Sequence, residues 1–432
     1  MGKRRHTRLY AEQLDLATPQ QWQDLVPKNI LQEVADQHGG DQADGKLTAP
    51  IHFWILLVGV LSKGCSSLKD LIARAQDRFG KPLGWLKNPD KPWVSASALS
   101  QRNKDRPVAF WQNLYQRLRQ HHFGTRWLRK AWQKKVGVIE AIDSSTFRLM
   151  ARLRDVFAPS GSGGPKKGSR NPKGALKIHQ VYHVGDEVPA DVGIGPAREH
   201  DRKGWKKAIE QARQGVLYLI DRGYCCFTLW RDIDESQAYF ITPLKAGLIY
   251  EHKCWLNPKR QRNRVRDHLV RFPGMDQGDN FVILRVVEIL QEDGTWWSYV
   301  TNLIDQGLSA ADIAEIYRLR WRIEIFFRHL KHTLNMDHWF AESEAGVQAQ
   351  LYVALIGYVL SQAVLLWVSR EARQAPEQYR FTTVVHELAH WLIAQLHTNC
   401  MQPLLELLDR VRRNALDKDH RRNSQCFTTL SP

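Results

Sequence analysis

No Gly or Pro interrupts the stretch from Ser309 to Trp339, whose centre reads IYRLRWRIEIFFRHLK. A run of that length without a breaker reads as one long helix, opened by Ser309 as N-cap with Asp312 one turn on. At about 100° per residue, Tyr317, Arg320, Glu324 and Lys331 fall within roughly 60° of one another around the axis. Ile316, Leu319, Ile323, Phe326, Phe327 and Leu330 fall on an adjoining arc, the face expected against a core. One side would then be greasy, and the other a rail of phenol, guanidinium, carboxylate and ammonium groups. At about 1.5 Å per residue the rail is roughly 21 Å long, the scale of several nucleotides and not of a small metabolite. A row of charges at helical spacing is otherwise just a solvated face, so the choice falls to the rest of the chain.

Composition supplies a partner for the rail. The 432 residues include 62 Lys and Arg against 45 Asp and Glu, a formal charge of +17. Such an excess favours a polyanion, either nucleic acid or an anionic membrane surface. The 16 Trp suit stacking on bases and core packing equally, and do not decide between them. The N-terminal MGKRRHTRLYAEQLD is basic without an apolar stretch and does not read as a secretory signal, and His6 breaks the myristoylation pattern. The most apolar run, LYVALIGYVLSQAVLLWV at 351–368, barely reaches the length of a membrane span and contains Gly357, Ser361 and Gln362. A buried helix is the expectation there, with no membrane partner. The six Cys form no CxxC pair, which fits a reducing cytoplasm.

Residues 1–130 read mostly helical. Short helices at Leu68–Phe79 and Ser95–Asn103 admit two readings, a helix-turn-helix-like DNA reader or ordinary helical packing. From Val136 the period changes: VGVIEAID is a buried strand leading to Asp143, and GVLYLID another ending at Asp221. Between them come a Gly-, Ser- and Pro-rich loop, a strand at 176–184 and a helix at 201–213. That loop carries Lys166, Lys167, Arg170 and Lys173 at 160–174, charges suited to a phosphate backbone. CCFTLWRDIDES then reads as a helix and QAYFITPL as a strand. Residues 246–303 alternate like four strands between Gly, Asn, Asp and Pro breaks, and 341–432 are again helical, with a basic tail.

Two strand-ending aspartates and one helix carboxylate form a constellation. Ligand sites in an open sheet lie outside the strand ends, and a helix packed there by Ile323 and Phe327 would bring Glu324 to Asp143 and Asp221. Three converging carboxylates repel unless a cation joins them, and an all-oxygen set favours Mg2+ or Mn2+. Two such ions would clamp the entering and leaving oxygens of an in-line phosphoryl displacement.

These residues carry a resemblance. Tyr317, two residues, Arg320, three residues, Glu324, six residues and Lys331 match the YREK signature of the insertion-sequence-four family of DDE transposases. The approach YVTNLIDQGLSAADIAEIYRLRWRIEIFFRHLK, with Asn302, resembles the family too, as do the blocks IEAIDSSTFRL and LYLIDRGYCC. The resemblance implies an α/β fold with a ribonuclease-H-like catalytic core at 131–245 and 304–345 and an inserted β-rich subdomain at 246–303. Helical regions would flank it, an N-terminal one (1–130) that binds DNA ends and a C-terminal one (346–432). It implies Asp143, Asp221 and Glu324 as the catalytic, metal-binding triad for two Mg2+ ions, with Mn2+ able to substitute. Tyr317, Arg320 and Lys331 would grip phosphates of the element's end. The implied reaction is cut-and-paste transposition: water cuts one strand at each end, the freed 3′-hydroxyl closes a hairpin on the other, and the opened end joins target DNA. The implied partners are double-stranded DNA (terminal inverted repeats and target) and a second copy of the chain, a homodimer on DNA in a prokaryotic cytoplasm, at the nucleoid when bound.

The strongest rival lies elsewhere. His386, Glu387 and His390 spell HELAH, the HExxH pattern in which two His one turn apart bind zinc and the Glu acts as base. The extended pattern fails, with Ile393 and Leu396 where Gly and a third His would stand, and Glu406 is the remaining ligand candidate. An amphipathic helix with polar residues among Val385, Leu388 and Leu392 is the plain alternative. Two further readings are a non-catalytic DNA-binding protein and another nuclease or resolvase.

Overall fold

The computed structural model describes residues 25–41, 47–62, 65, 67–75, 94–123, 135–158, 174–201, 206, 212–276, 281–398 and 404–416. The basic loop expected at 160–174 apart from Gly174, most of the helix expected at 201–213, the connection between the two short N-terminal helices and the end of the basic tail lie outside the described residues. The chain forms two compact units, one of residues 1–125 with 328–432 and one of residues 126–327.

The first unit is helical among the described residues. Its N-terminal part holds α1 (Lys28–His38), α2 (Ala49–Leu61), α3 (Leu68–Ala75), α4 (Ala96–Asp105) and α5 (Val108–Phe123). The second unit adds α6 (Phe227–Glu235), α7 (Ala310–Arg318) and α8, which spans Trp321–Arg328 and ends at the boundary; α9 (Glu344–Glu371), α10 (Phe381–Thr398) and α11 (Leu404–Ala415) return to the first. The apolar run expected as a buried helix is the centre of α9. It is the one described helix long and apolar enough to cross a membrane, and 94% of its apolar window is buried inside the protein. Apolar side chains all round make such a helix a core element, and Ser361 satisfies its hydroxyl by donating to the Gly357 carbonyl at 2.8 Å.

The second unit is built on a nine-stranded sheet. Its strands are β1 (Val138–Arg148), β2 (Ala175–His183), β3 (Val188–Pro196), β4 (Val216–Ile220), β5 (Tyr239–Pro243), β6 (Glu251–Trp255), β7 (Val265–Arg271), β8 (Ile283–Leu290) and β9 (Trp296–Thr301). Their order is β3-β2-β1-β4-β5-β9-β8-β7-β6. β1, β4 and β5 run parallel and the other pairings are antiparallel. β4, all five residues buried, is the continuous apolar strand that parallel pairing demands. The return from β4 to β5 runs through α6, whose Trp230 stacks on Phe240 of β5 with ring centroids 5.6 Å apart. β6 to β9 do not form a sheet of their own; β9 pairs with β5 and extends the same one. The free edge, β6, is exposed along its whole length, and Lys253 at its centre discourages pairing with another chain.

Three elements differ from the sequence reading. β1 does not end at Asp143 but continues to Arg148, because β2 supplies an antiparallel partner past the point where β4 stops. β3 went unread, since Pro189, Gly193, Gly195 and Pro196 look like loop; an edge strand tolerates Pro because its outward N–H has no ladder to join. The uninterrupted helix from Ser309 to Trp339 is in fact broken. α7 closes at Arg318, and Arg320, Arg322 and Ile323 donate to Tyr317, Leu319 and Arg320, the three-residue spacing of a tightened 3-10 turn, before α8 resumes. A π-helical turn follows at His329–Thr333, and the helix stops at Leu334. The opening is as read: Ser309 and Asp312 form a reciprocal capping box.

Arg285 on β8 is only 4% exposed and Asp267 on β7 6%. Two parallel bonds join them, Nε to Oδ1 at 2.8 Å and Nη2 to Oδ2 at 2.7 Å, and Nη1 donates to the Leu308 carbonyl just before the α7 cap. Arg285→Ala strands a buried carboxylate, so the second unit should lose about 3–5 kcal/mol in urea unfolding. A loss below about 1 kcal/mol would show that the pair is not desolvated as described.

Candidate active site

β1 and β4 are paired so that Ile142 sits opposite Ile220. The next residues, Asp143 and Asp221, therefore stand side by side where the ladder ends, at the carboxyl edge where open parallel sheets bind ligands. Asp143 Oδ1 accepts from the backbone N–H of Ser144 at 2.7 Å. Asp221 caps the short 3-10 helix Arg222–Tyr224, its Oδ2 accepting from the Gly223 N–H at 2.9 Å.

The α7–α8 segment supplies the rest. The buried Ile313, Ile316, Ile323 and Phe326 set its apolar face, and Phe326 lies against Tyr182 of β2 at 5.5 Å. The Tyr317 hydroxyl donates to the Ile220 carbonyl at 3.3 Å, tying the helix to the residue before Asp221. Arg320 lies at the centre. Its Nη1 is 3.2 Å from Asp143 Oδ2 and 3.8 Å from Asp221 Oδ1, and its Nη2 is 2.5 Å from Glu324 Oε1. Five of the six residues singled out from sequence, Asp143, Asp221, Tyr317, Arg320 and Glu324, are thus brought together in the second unit. Lys331 falls on the π-helical turn, in the first unit, where burial lowers its pKa against the pull of Asp337.

The electrostatics follow from crowding. Burial pushes the Asp143 carboxyl up to about 7; Arg320 opposes the rise and the charge of Asp221 adds to it. Burial also raises the Tyr317 phenol above its ordinary range, which keeps it a neutral donor. For Arg320 burial works against the charge, but Tyr317, Asp143, Asp221 and Glu324 together outweigh it and hold the guanidinium firmly protonated.

The structure adds a fourth carboxylate that spacing did not signal. Asp201, beyond β3, accepts from Ser144 Oγ at 2.8 Å and from Lys177 Nζ at 3.0 Å. Burial would raise its pKa, but these two donors outweigh burial and lower it. A Cβ on Gly223 would stand 3.3 Å from an Asp221 oxygen and 3.4 Å from one of Asp201, so a glycine separates the two carboxylates. Behind them His179 Nδ1 and the Tyr224 hydroxyl are 2.9 Å apart. The one cue in the sequence is Lys177, a cation in a strand whose other residues are apolar or uncharged polar ones.

The three side chains that pair with Arg320 among the described residues offer carboxylate oxygens, the donor set that suits a hard divalent cation. A single guanidinium now bridges them, and among the described residues no three His, Cys, Asp or Glu side chains are already grouped closely enough to hold a metal. The HELAH stretch lies on α10, but Glu387 is engaged by Arg410 Nε at 2.9 Å and by Asn414 Nδ2 at 2.8 Å. A carboxylate held by two donors is a structural anchor and a poor general base.

Residues 134–360, more than half of the chain, match a family model described as transposase DDE domain. A Sinorhizobium fredii protein named as a transposase, y4zB, is 29% identical over 215 residues, 49% of this chain and 58% of that one. A Synechocystis protein named as the transposase of insertion sequence element IS4SA is 27% identical over 46% of this chain and 55% of that one. Transposase InsG for insertion sequence element IS4, from Escherichia coli, is 24% identical over 39% of each chain. The matches thus cover less than two thirds of the length of each of these relatives.

Proposed function

We propose that this chain, which belongs to the insertion-sequence-four family of DDE transposases, cuts and rejoins DNA at the ends of a mobile element with Asp143, Asp221 and Glu324 as its catalytic centre. The observation that carries the reading is that those three carboxylates, from two adjacent parallel strands and one helix, all lie within 4 Å of one guanidinium, Asp143 and Asp221 at Nη1 and Glu324 at Nη2 of Arg320. The strand order β3-β2-β1-β4-β5, with β1, β4 and β5 parallel, supports a ribonuclease-H-like core, and β6 to β9 supply the inserted β-rich part.

Asp143, Asp221 and Glu324 would hold two Mg2+ or Mn2+ ions, which when bound activate an attacking oxygen and stabilise the leaving one. The protein's own contribution is position. Tyr317 stays a neutral donor beside the second acid, and Arg320 and Lys331 offer charge to the phosphates of the element's end. The +17 charge supplies the long-range attraction to a polyanion. The substrate is then double-stranded DNA carrying terminal inverted repeats, a second DNA is the target, and the working assembly pairs two ends through a homodimer in the cytoplasm. Cleavage with closure of a hairpin and rejoining to the target is the fitting sequence of steps.

The test is a DNA assay with the purified chain, the inverted repeats that flank its reading frame, and a supercoiled target. Nicking at the repeat boundary and joined products are expected with Mg2+ or Mn2+ and not with EDTA. Cleavage that persists in EDTA, or at full rate in Asp221→Asn, would sink the assignment.

A further inference from the structure

We propose that Arg320 is a built-in counter-cation that keeps the three acids assembled before metal arrives and then gives up its place between them. The proposal rests on reading Asp143, Asp221 and Glu324 as ligands of a divalent ion.

Three observations support it. The first is the geometry: one guanidinium reaches all three carboxylates, at 3.2, 3.8 and 2.5 Å, with its side chain only 13% exposed. Without it, three partly buried carboxylates would face one another unscreened. Like charges brought close together in a partly buried site repel one another far more than they would in water. One positive charge against three negative ones leaves the centre net negative, so a divalent cation is still attracted. Arg320 therefore holds the acids together without satisfying them.

The second observation concerns the guanidinium itself. Its Nε is buried with no partner among the described residues. Arg presents its five donors in a fixed fork, and here the fork is only partly used. Arg285, by contrast, is engaged at all three of its nitrogens, with a two-point carboxylate grip and carbonyl contacts. Arg320 sits in a tighter but less complete arrangement.

The third is the backbone. Arg320 occupies the 3-10 turn between α7 and α8, the one interruption between Ala310 and Arg328. Short 3-10 stretches inside helices commonly mark hinges. A side chain anchored there can swing without breaking a regular helical ladder, while Tyr317 and Glu324, one turn away on either side, stay fixed by α7 and α8. Once displaced from the acids, the Arg320 fork is left facing the site with its donors free for a phosphate. Loading of the site and gripping of the DNA would then be coupled through one residue.

The experiment uses the full chain without DNA. Mn2+ affinity is measured by electron paramagnetic resonance for the parent, Arg320→Ala, Arg320→Gln and Asp143→Asn, and thermal midpoints are read in EDTA and in Mn2+. Removing the competitor should tighten Mn2+ binding at least tenfold in Arg320→Ala and Arg320→Gln. Both should melt lower than the parent in EDTA and gain more from Mn2+. Unchanged or weaker Mn2+ binding in both variants overturns the proposal. For a variant that fails to fold, the parent gives its own reading: the Arg320 Nε–H resonance should shift on Mg2+ addition, and an unmoved resonance at saturating Mg2+ also overturns it. A parent that binds Mn2+ no better than Asp143→Asn signals a different failure, that of the metal-site assignment itself.

Discussion

Glu324→Gln and Asp143→Asn should each lower strand cleavage by on the order of a thousandfold, roughly 4 kcal/mol of transition-state stabilisation, while leaving the chain folded and able to bind DNA. Both substitutions keep side-chain volume and remove one negative charge from the cluster around Arg320. Neither residue donates a cation to phosphate, so the salt dependence of DNA binding should be unchanged or slightly steeper. Lys331→Ala should behave in the opposite way. Losing one phosphate contact reduces the slope of log affinity against log salt by about one, with a smaller loss in cleavage rate at saturating DNA. Single-turnover cleavage and filter binding across a salt series separate the two patterns. Cleavage within tenfold of the parent in both carboxylate variants would mean that the convergence of Asp143, Asp221 and Glu324 is structural.

Much of this site was legible because it rests on local signals. β4 is apolar throughout and stops at Asp221, and the capping box at Ser309 and Asp312 announces the start of α7. The helical period placed Tyr317, Arg320 and Glu324 on one face, and the structure keeps them there. It also placed Arg320 beside Glu324 as an i, i+4 pair, yet not against Asp143, because that contact joins residues 177 positions apart. Spacing on one helix carries no information on what the sheet presents to it. The break at Arg320 and the π turn at His329–Thr333 were invisible for a related reason. Neither needs Gly or Pro, and both are set by how the helix meets its surroundings. Asp201 was missed since a lone aspartate beyond an edge strand has no period to betray it. The edge strand itself hid behind two prolines that would forbid a central position.

The stability of the first unit should depend on pH through His52, and the direction follows from its hydrogen bonds. His52 is fully buried on α2, with Trp111 packed edge-on against its ring at 5.2 Å. Arg106 Nε donates to its Nδ1 at 3.3 Å, so Nδ1 must be the unprotonated nitrogen and Nε2–H donates to Asn103 Oδ1 at 2.6 Å. Only the neutral imidazole can make both bonds. Burial first, and then the Arg106 charge, push its pKa down to about 3, with Asn103 and the more distant Asp41 pulling weakly the other way. The unfolded chain takes up that proton near pH 6.5 and the folded chain does not until about 3, so the contribution is whole above 6.5 and is lost as pH falls toward 3. Between pH 7.5 and 5 it amounts to about 2 kcal/mol for His52. His122, buried and pushed down to about 4 with a bond to the Leu25 carbonyl, adds a similar loss of the same sign. Asp143 runs the other way, because an acid raised to about 7 in the fold favours the folded state as pH falls from 7 toward its ordinary value. A comparison of parent with His52→Gln cancels that term. Urea unfolding should show the parent's advantage over His52→Gln shrinking by about 2 kcal/mol between pH 7.5 and 5. An advantage constant across that range would mean that His52 is protonated in the fold, and that Arg106 Nε cannot be donating to it.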